Sequence, residues 1–560
     1  MILSKVNAKK RLWLRGVALL LCAALLLSMA ACVAEPEPAG LSLNYRIAKG
    51  AGRHTLRVWL TIDNAVKDET LRLYLSGNDF EVKKVTDARE QPCTYTKQDD
   101  YLDVTAPGDE LTVYYTVAVG APGKHGRAGF SDDTLWTASG EQLLLMPLAA
   151  YSVDENEVSE AVDSVSIQVE AEEDRLISAP TGRWNEVTWN RLYQLRQSAF
   201  AVGKFRQETW KIGGAIVHID YATDEQASVL TDLRSMLDYY AGLFGQVPNG
   251  LRICLLDTTG GGEYVMGGAG GHAMAATFLP ENERDWELLA HRLFHAFFEE
   301  KYPYYAAHMP GNLWFYEGLA SCYEWLATGY ALDERENAAD GPAKLYAQYL
   351  YLFAKYPALR LQAAEEAVVT EESAAKTEFL HYYIAPLLVY PLLSAETKSG
   401  ETVERFASWL STATLEDDQV VVEQLGTISA GDAVLKAAQS KQVISQPEGM
   451  TLSVSEDELV SLLADAEEHL ASWMRLEDAA FTYDPIDAPW LDMAMRVAEK
   501  RGTPCSDDPL LSQIISEFSP ALSRILAATA LQKEIEPTFP DSGKDRSVEW
   551  YSWLQRQLKQ

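Results

Sequence analysis

Between residues 41 and about 175 the chain changes polarity with a period of two. "LSLNYRIA", "HTLRVWLTID", "TLRLYLS", "LTVYYTVAVG" and "SVSIQVEAEE" alternate or are rich in β-branched and aromatic residues, with Gly, Asp and Asn between them. A period of two puts successive side chains on opposite faces of a strand, so this stretch predicts an antiparallel β-sandwich-like domain. From about residue 225 the spacing becomes helical. "EQASVLTDLRSMLDYYAGLFG" lines its apolar residues along one helix face and stops at a glycine. "GLRICLLDT" reads as a buried strand, and the glycine-rich "TGGGEYVMGGAGG" follows it. Two more helices are predicted, "DWELLAHRLFHAFFEEKY" and "NLWFYEGLASCYEWLATGY". Beyond 340 almost everything has helical spacing, and no internal repeat is visible.

The pattern therefore predicts an α+β multidomain chain. Residues 41–205 form the β-domain, 206–440 a mostly helical domain of catalytic type, and 441–560 a helical C-terminal region. A length of 560 residues suggests roughly three or four domains, and 47% hydrophobic content suffices for sizeable cores.

The N-terminus reads as a targeting segment. Lys5, Lys9, Lys10, Arg11 and Arg15 precede an uninterrupted apolar run at 17–27, shorter than a membrane span. "SMAAC" then ends at Cys32 in the manner of a bacterial lipobox. The expectation is a lipoprotein signal peptide over 1–31, lipid on Cys32, and an extended tether over 32–40. Such a protein sits outside the cytoplasm, anchored to a bacterial membrane. Removing residues 1–31 takes away five positive and no negative charges, moving the formal charge from −33 to −38. Acidity of this order, with no basic run after residue 15, excludes a nucleic-acid partner. Cys93, Cys254, Cys322 and Cys505 are too scattered to define a disulfide framework or a CxxC site.

Candidate chemistry sits in "LLAHRLFHAFF". His291 and His295 are four residues apart, which on a helix places both imidazoles on one face within reach of one metal ion. Zinc peptidases use this spacing in H-E-x-x-H, where the glutamate is the general base. Here Arg292 occupies that position. The next helix carries Glu317, 22 residues beyond His295 and past a Pro310-Gly311 turn. A carboxylate from a second helix completes three protein ligands and leaves a fourth position open.

Several stretches together resemble the glycyl aminopeptidase family of gluzincin zinc metallopeptidases. "FAVGKF" is similar to the family's entry into its catalytic domain. "LFGQVPNGLRICLLDTTGGGEY" is similar to its FG-x-x-P helix end, strand and GGLEH motif. "WFYEGLASCY" resembles WFYEGFTSYY, and "HYYIAPLLVYPLL" resembles YYxKGxLVxxLL. The resemblance spans residues 41–440 and implies a thermolysin-like domain behind the N-terminal β-domain. It implies zinc on His291, His295 and Glu317, and substrate binding by Gly261, Gly262 and Glu263, with Glu263 taking the free α-amine of a peptide. It assigns oxyanion stabilisation to Tyr383.

The departures fall in one cleft. Arg292 replaces the general base and cannot take a proton from a metal-bound water. Tyr264 stands where GGLEH has histidine, Ala385 and Pro386 where YYxKG has lysine and glycine, and "AFFEEKYP" lacks the family's basic pattern. Loss of a general base lowers rate by about 10²–10⁴. The expected protein is thus a membrane-anchored lipoprotein whose metallopeptidase fold is catalytically impaired but still able to bind peptide N-termini. An active zinc aminopeptidase and a non-enzymatic cell-envelope binding protein are the two alternatives. An ion pair between Glu263 and Arg292 across the cleft is a further expectation.

Overall fold

The computed structural model describes residues 40–355 apart from 53, 76–79, 120–128, 132, 152–160, 186, 258–264, 268–270, 303–312 and 334–340, and also 380–390, 462, 465, 466, 497 and 500. Cys32, the signal segment, Gly261, Gly262 and Glu263, and nearly all of 441–560 lie outside the described residues. So does any Glu263–Arg292 pair.

The β-domain is built on a six-stranded sheet in the order Gly182–Asn185, Val162–Val169, Leu41–Lys49, Thr55–Asp63, Glu110–Ala118, Phe80–Asp87. Its inner face follows the period-two pattern: Leu56, Val58, Leu60 and Ile62 are wholly buried, as are Leu111, Val113, Tyr115 and Val117 opposite them. Two four-stranded sheets complete the domain. Buried tyrosines tie the layers. The Tyr45 hydroxyl donates to the Leu145 carbonyl at 2.8 Å, and that of Tyr115 donates to the Leu143 carbonyl at 2.5 Å, so neither phenol is buried at the cost of a lost hydrogen bond. One pairing departs from the antiparallel expectation. Leu41–Lys49 runs parallel to Val162–Val169. The chain passes through both other sheets before returning to that edge, and a parallel pair needs such a long connection.

The second domain opens with the hairpin Arg206–Ile212 and Ala215–Tyr221. Gly213 and Gly214 both have positive φ, at 55° and 94°, as a two-residue turn with the twist of the strands requires. The hairpin is the edge of a five-stranded sheet. Leu251–Leu256 runs parallel to Ala215–Tyr221 and to Ala273–Thr277, with Val265–Gly267 antiparallel at the far edge. Flanked on both sides, Leu251–Leu256 is buried on both faces, which explains its continuous apolar sequence.

Helices α1 (Leu230–Phe244) and α2 (Glu283–Lys301) pack against this sheet, and α3 (Leu313–Ala331) packs on both of them; α4 (Gly341–Lys355) lies further out. Gly245 ends α1 with φ 70°, a left-handed position that favours glycine. The start of α2 is fixed twice. Asn282 caps it by accepting from the Arg284 N–H, and the Asp285 carboxylate accepts from the Leu279 N–H at 2.7 Å. α2 and α3 press together through aromatic rings, Phe294 on Tyr323 at 5.5 Å and Phe298 on Tyr316 at 5.2 Å. The Tyr240 hydroxyl of α1 lies 2.9 Å from the Ala290 carbonyl and 3.3 Å from that of Tyr323, which fixes both helices beside His291.

A segment comprising a π-helical turn, Leu380–Ile384, and the helical residues after it lies across α3. Ala385 there is wholly buried. Gly318 makes the approach feasible: a Cβ on it would stand 2.7 Å from the Ala385 carbonyl oxygen and 2.8 Å from Val389 Cγ2. Gly318→Ala should therefore destabilise the domain by about 1–3 kcal/mol, because a backbone must move to admit one methyl. Urea denaturation read by tryptophan fluorescence measures this; an unchanged midpoint would show that the two segments are not in contact.

A candidate metal centre

The donor atoms of His291, His295 and Glu317 lie within 4.8 Å of one another, and this is a group of metal-ligand character found among the described residues. Glu317 Oε2 is 3.5 Å from His291 Nε2 and 3.4 Å from His295 Nε2. Two ligands bound about 2.1 Å from one zinc at the tetrahedral angle stand about 3.4 Å apart. The separations are thus long for hydrogen bonds and right for a shared metal. Both imidazoles are buried, and their ring centroids are 4.7 Å apart, as residues one helical turn apart on one face must be.

Around these three stands a set of partners that the histidine spacing does not reveal. His291 Nδ1 lies 2.7 Å from Glu324 Oε2. Glu324 follows Glu317 by seven residues, two turns along the same face of α3. A carboxylate on the second ring nitrogen fixes the tautomer and raises the basicity of the first, the usual arrangement behind a metal-bound histidine. The far side of Glu324 meets Arg284 Nη1 at 3.4 Å, and Arg284 also holds Glu287 at 2.9 Å. Glu287 precedes His291 by one turn, so an acid–arginine–acid–imidazole chain runs from the rim of α2 to the metal group. The signal was present in the sequence as Glu287–His291–His295–Glu299, four ionisable residues each four apart. Glu299 is buried and accepts a hydrogen bond from the Tyr316 hydroxyl. Among the described residues, His295 Nδ1 is a buried nitrogen with no hydrogen-bond partner.

The electrostatics divide the two histidines. Burial works against charge on His291, but Glu317 and Glu324 outweigh it and hold its pKa above the usual value. Burial dominates at His295 and pushes it down to about 3, against Glu317 and helped by His291 and Arg292. His295 is therefore neutral, the form a metal requires. Burial alone would raise Glu317, yet His295, His291 and His381 hold it well below the carboxylate range. Glu299 goes the opposite way. Burial, assisted by Glu317, lifts it well above the usual glutamate value against the Tyr316 hydroxyl.

Other candidates fall outside the group. The half-buried phenol whose ring lies over His291, at 6.1 Å, is Tyr382. Tyr383 is buried beside Arg284 and Asp465, with its proton held on by burial. His381 is buried and acts electrostatically on Glu317. His272 is instead paired with Glu300 at 2.9 Å and lies 3.5 Å from Arg191. His308 lies outside the described residues.

The chain resembles known structures in fold. An aminopeptidase N family protein from Idiomarina loihiensis superposes with a TM-score of 0.54 at 14% identity, over 75% of this chain and 78% of that one. The chain shares the fold of that aminopeptidase N family protein. An M1 zinc metallopeptidase from Deinococcus radiodurans matches with a TM-score of 0.46 at 16% identity, over 74% of this chain and 96% of that one. No family model matches the sequence, and no curated protein matches it.

Two outcomes test this arrangement. Glu324→Gln removes the charged acceptor behind His291 and should weaken zinc binding about 10–100-fold. Competition with a chromogenic chelator reads this, and unaltered affinity would remove Glu324 from the metal's surroundings. Burial also lifts Glu287 to about 7, with Arg284 opposing and Glu324 assisting. The folded chain therefore keeps a proton there that the unfolded chain, with an ordinary glutamate, releases near pH 4.5. The contribution of this group to stability is fully present below pH 4.5 and is lost as pH rises to about 7. Melting temperatures of wild type and Glu287→Gln should diverge across that window, and parallel curves would refute the shift.

Proposed function

We propose that this chain is an extracytoplasmic, lipid-anchored relative of the glycyl aminopeptidases in which His291, His295 and Glu317 hold zinc and hydrolysis is lost or very weak. The observation that carries the metal is the pair of 3.4 and 3.5 Å separations, which match a tetrahedral zinc shell. Bound zinc would supply Lewis-acid polarisation of a water or carbonyl at its open position. Glu324 holds His291 in the tautomer that presents Nε2. The low pKa of His295 keeps its nitrogen free of a proton. Tyr383, with its phenol kept protonated by burial, can serve only as a donor to a developing oxyanion.

Among the described residues, no free carboxylate stands beside the three ligands to accept the water's proton. Arg292 occupies the position after His291 where the base stands in H-E-x-x-H. Glu299 is buried with its pKa raised by burial and accepts from Tyr316, and Glu317 and Glu324 are engaged by the histidines. Lipid on Cys32 would keep the cleft at a membrane surface, where it would bind peptide N-termini.

Glycyl and alanyl chromogenic substrates, with zinc supplied, test the catalytic half of this reading. Wild type should be silent. Arg292→Glu should gain at least about 10²-fold in turnover, the lower range for a general base. Wild-type turnover abolished by a chelator would overturn the impaired reading and require another base.

A further inference from the structure

The open edge of α2 next to the metal group is cationic. At about 100° per residue, His291 and His295 sit about 40° apart on the helix, with Leu288 about 60° and Arg292 about 100° round from His291. Leu288 and Arg292 are half-exposed, whereas every residue at 293–299 is buried. Arg284 and Glu287 are half-exposed on the same flank of the histidines but hold one another, so the accessible charge there without a described partner is Arg292.

Among the described residues, the carboxylates near this edge have other partners. Glu317 faces the two histidines, Glu324 faces His291 and Arg284, and Glu287 faces Arg284. Glu299 bonds Tyr316, and Glu300 bonds His272. Among the described residues none forms an ion pair or hydrogen bond with the Arg292 guanidinium. Its charge acts on His295, lowering that ring's pKa further. Tyr382, half-buried over His291, adds a phenol at the same border.

Exchanging a carboxylate base for a guanidinium moves this corner by two units of charge. With a dication on the three ligands, the corner presents two cations beside each other and an open coordination position. That combination suits an anion with two parallel oxygens, because a guanidinium fork and a metal each accept one face of a carboxylate. We propose that the cleft binds an organic carboxylate, the C-terminus of a short peptide or a free amino acid, with Arg292 as its anchoring cation. The proposal rests on the zinc reading for its second cation but not for its first.

Calorimetric titration of the full chain, with zinc content measured on the same sample, tests it. The probes are acetyl-alanyl-alanine, its C-terminal amide, free alanine and inorganic phosphate. The free acid should bind about tenfold or more tighter than the amide, the difference expected for one charge-assisted bidentate contact. Arg292→Gln should erase that preference while zinc content stays at wild-type level. Tighter binding of acetyl-alanyl-alanine than of alanine identifies a peptide C-terminus, and the reverse identifies a free amino acid; either supports the proposal. Equal binding of acid and amide, undiminished preference in Arg292→Gln, or binding of phosphate alone would overturn it. A chain that holds no zinc yet still prefers the acid would refute the metal reading and leave Arg292 as the anchor.

Discussion

Everything in the second domain depends on burying ionisable groups at the crossing of α2 and α3. An isolated charge in such a place costs several kcal/mol, and removing one partner of a buried pair costs about 3–5 kcal/mol. The crossing is tolerable only because its members satisfy one another. His291 stands between Glu317 and Glu324, Glu324 between His291 and Arg284, and Arg284 between two acids. The aromatic contacts of Phe294 with Tyr323 and of Phe298 with Tyr316 bring the helices close enough for these pairs to form. Gly318 and Tyr240 then fix the layers on either side.

The same constraint explains why neighbouring histidines behave so differently. His291 has a carboxylate at each ring nitrogen and its pKa is held above the usual value; His295 has one carboxylate and a ring nitrogen without a partner among the described residues, and stays neutral. Neutralisation thus follows from the number of acids each ring meets, which is set by the register of α3 against α2.

Much of this was legible in the sequence. The period-two pattern over residues 41 to about 175 became the strands of the β-domain, and the switch near residue 225 became α1. The His291, His295 and Glu317 group was readable because its members obey local helical spacing and a known pattern. Glu324 and Arg284 were not singled out, since a carboxylate two turns from a ligand and an arginine at a helix start have no meaning until two helices are docked. The place of Tyr382 over His291 was not legible either, because a π-helical turn rotates side chains away from simple spacing. The parallel pairing of Leu41–Lys49 with Val162–Val169 was invisible for the same reason: it joins segments more than 100 residues apart, and alternation does not encode strand direction.

The contrast between positions 291 and 292 bears on how such a site can change. Replacing His291 would take one partner from each of two carboxylates, half-buried Glu317 and buried Glu324, so its loss is opposed by stability, whatever the site does. Position 292 is half-exposed and has no described partner, so glutamate, arginine or glutamine there differ little in stability, within about 0.5 kcal/mol for an ordinary surface substitution. The proton acceptor of an H-E-x-x-H helix therefore occupies the one corner of the group that the fold does not protect. A chain can exchange it and still retain the three ligands, because those ligands also hold α2 to α3. Intact ligands, on this physical ground, report the integrity of the helix crossing before they report hydrolysis, and the chemistry of the cleft has to be read from the residue at 292.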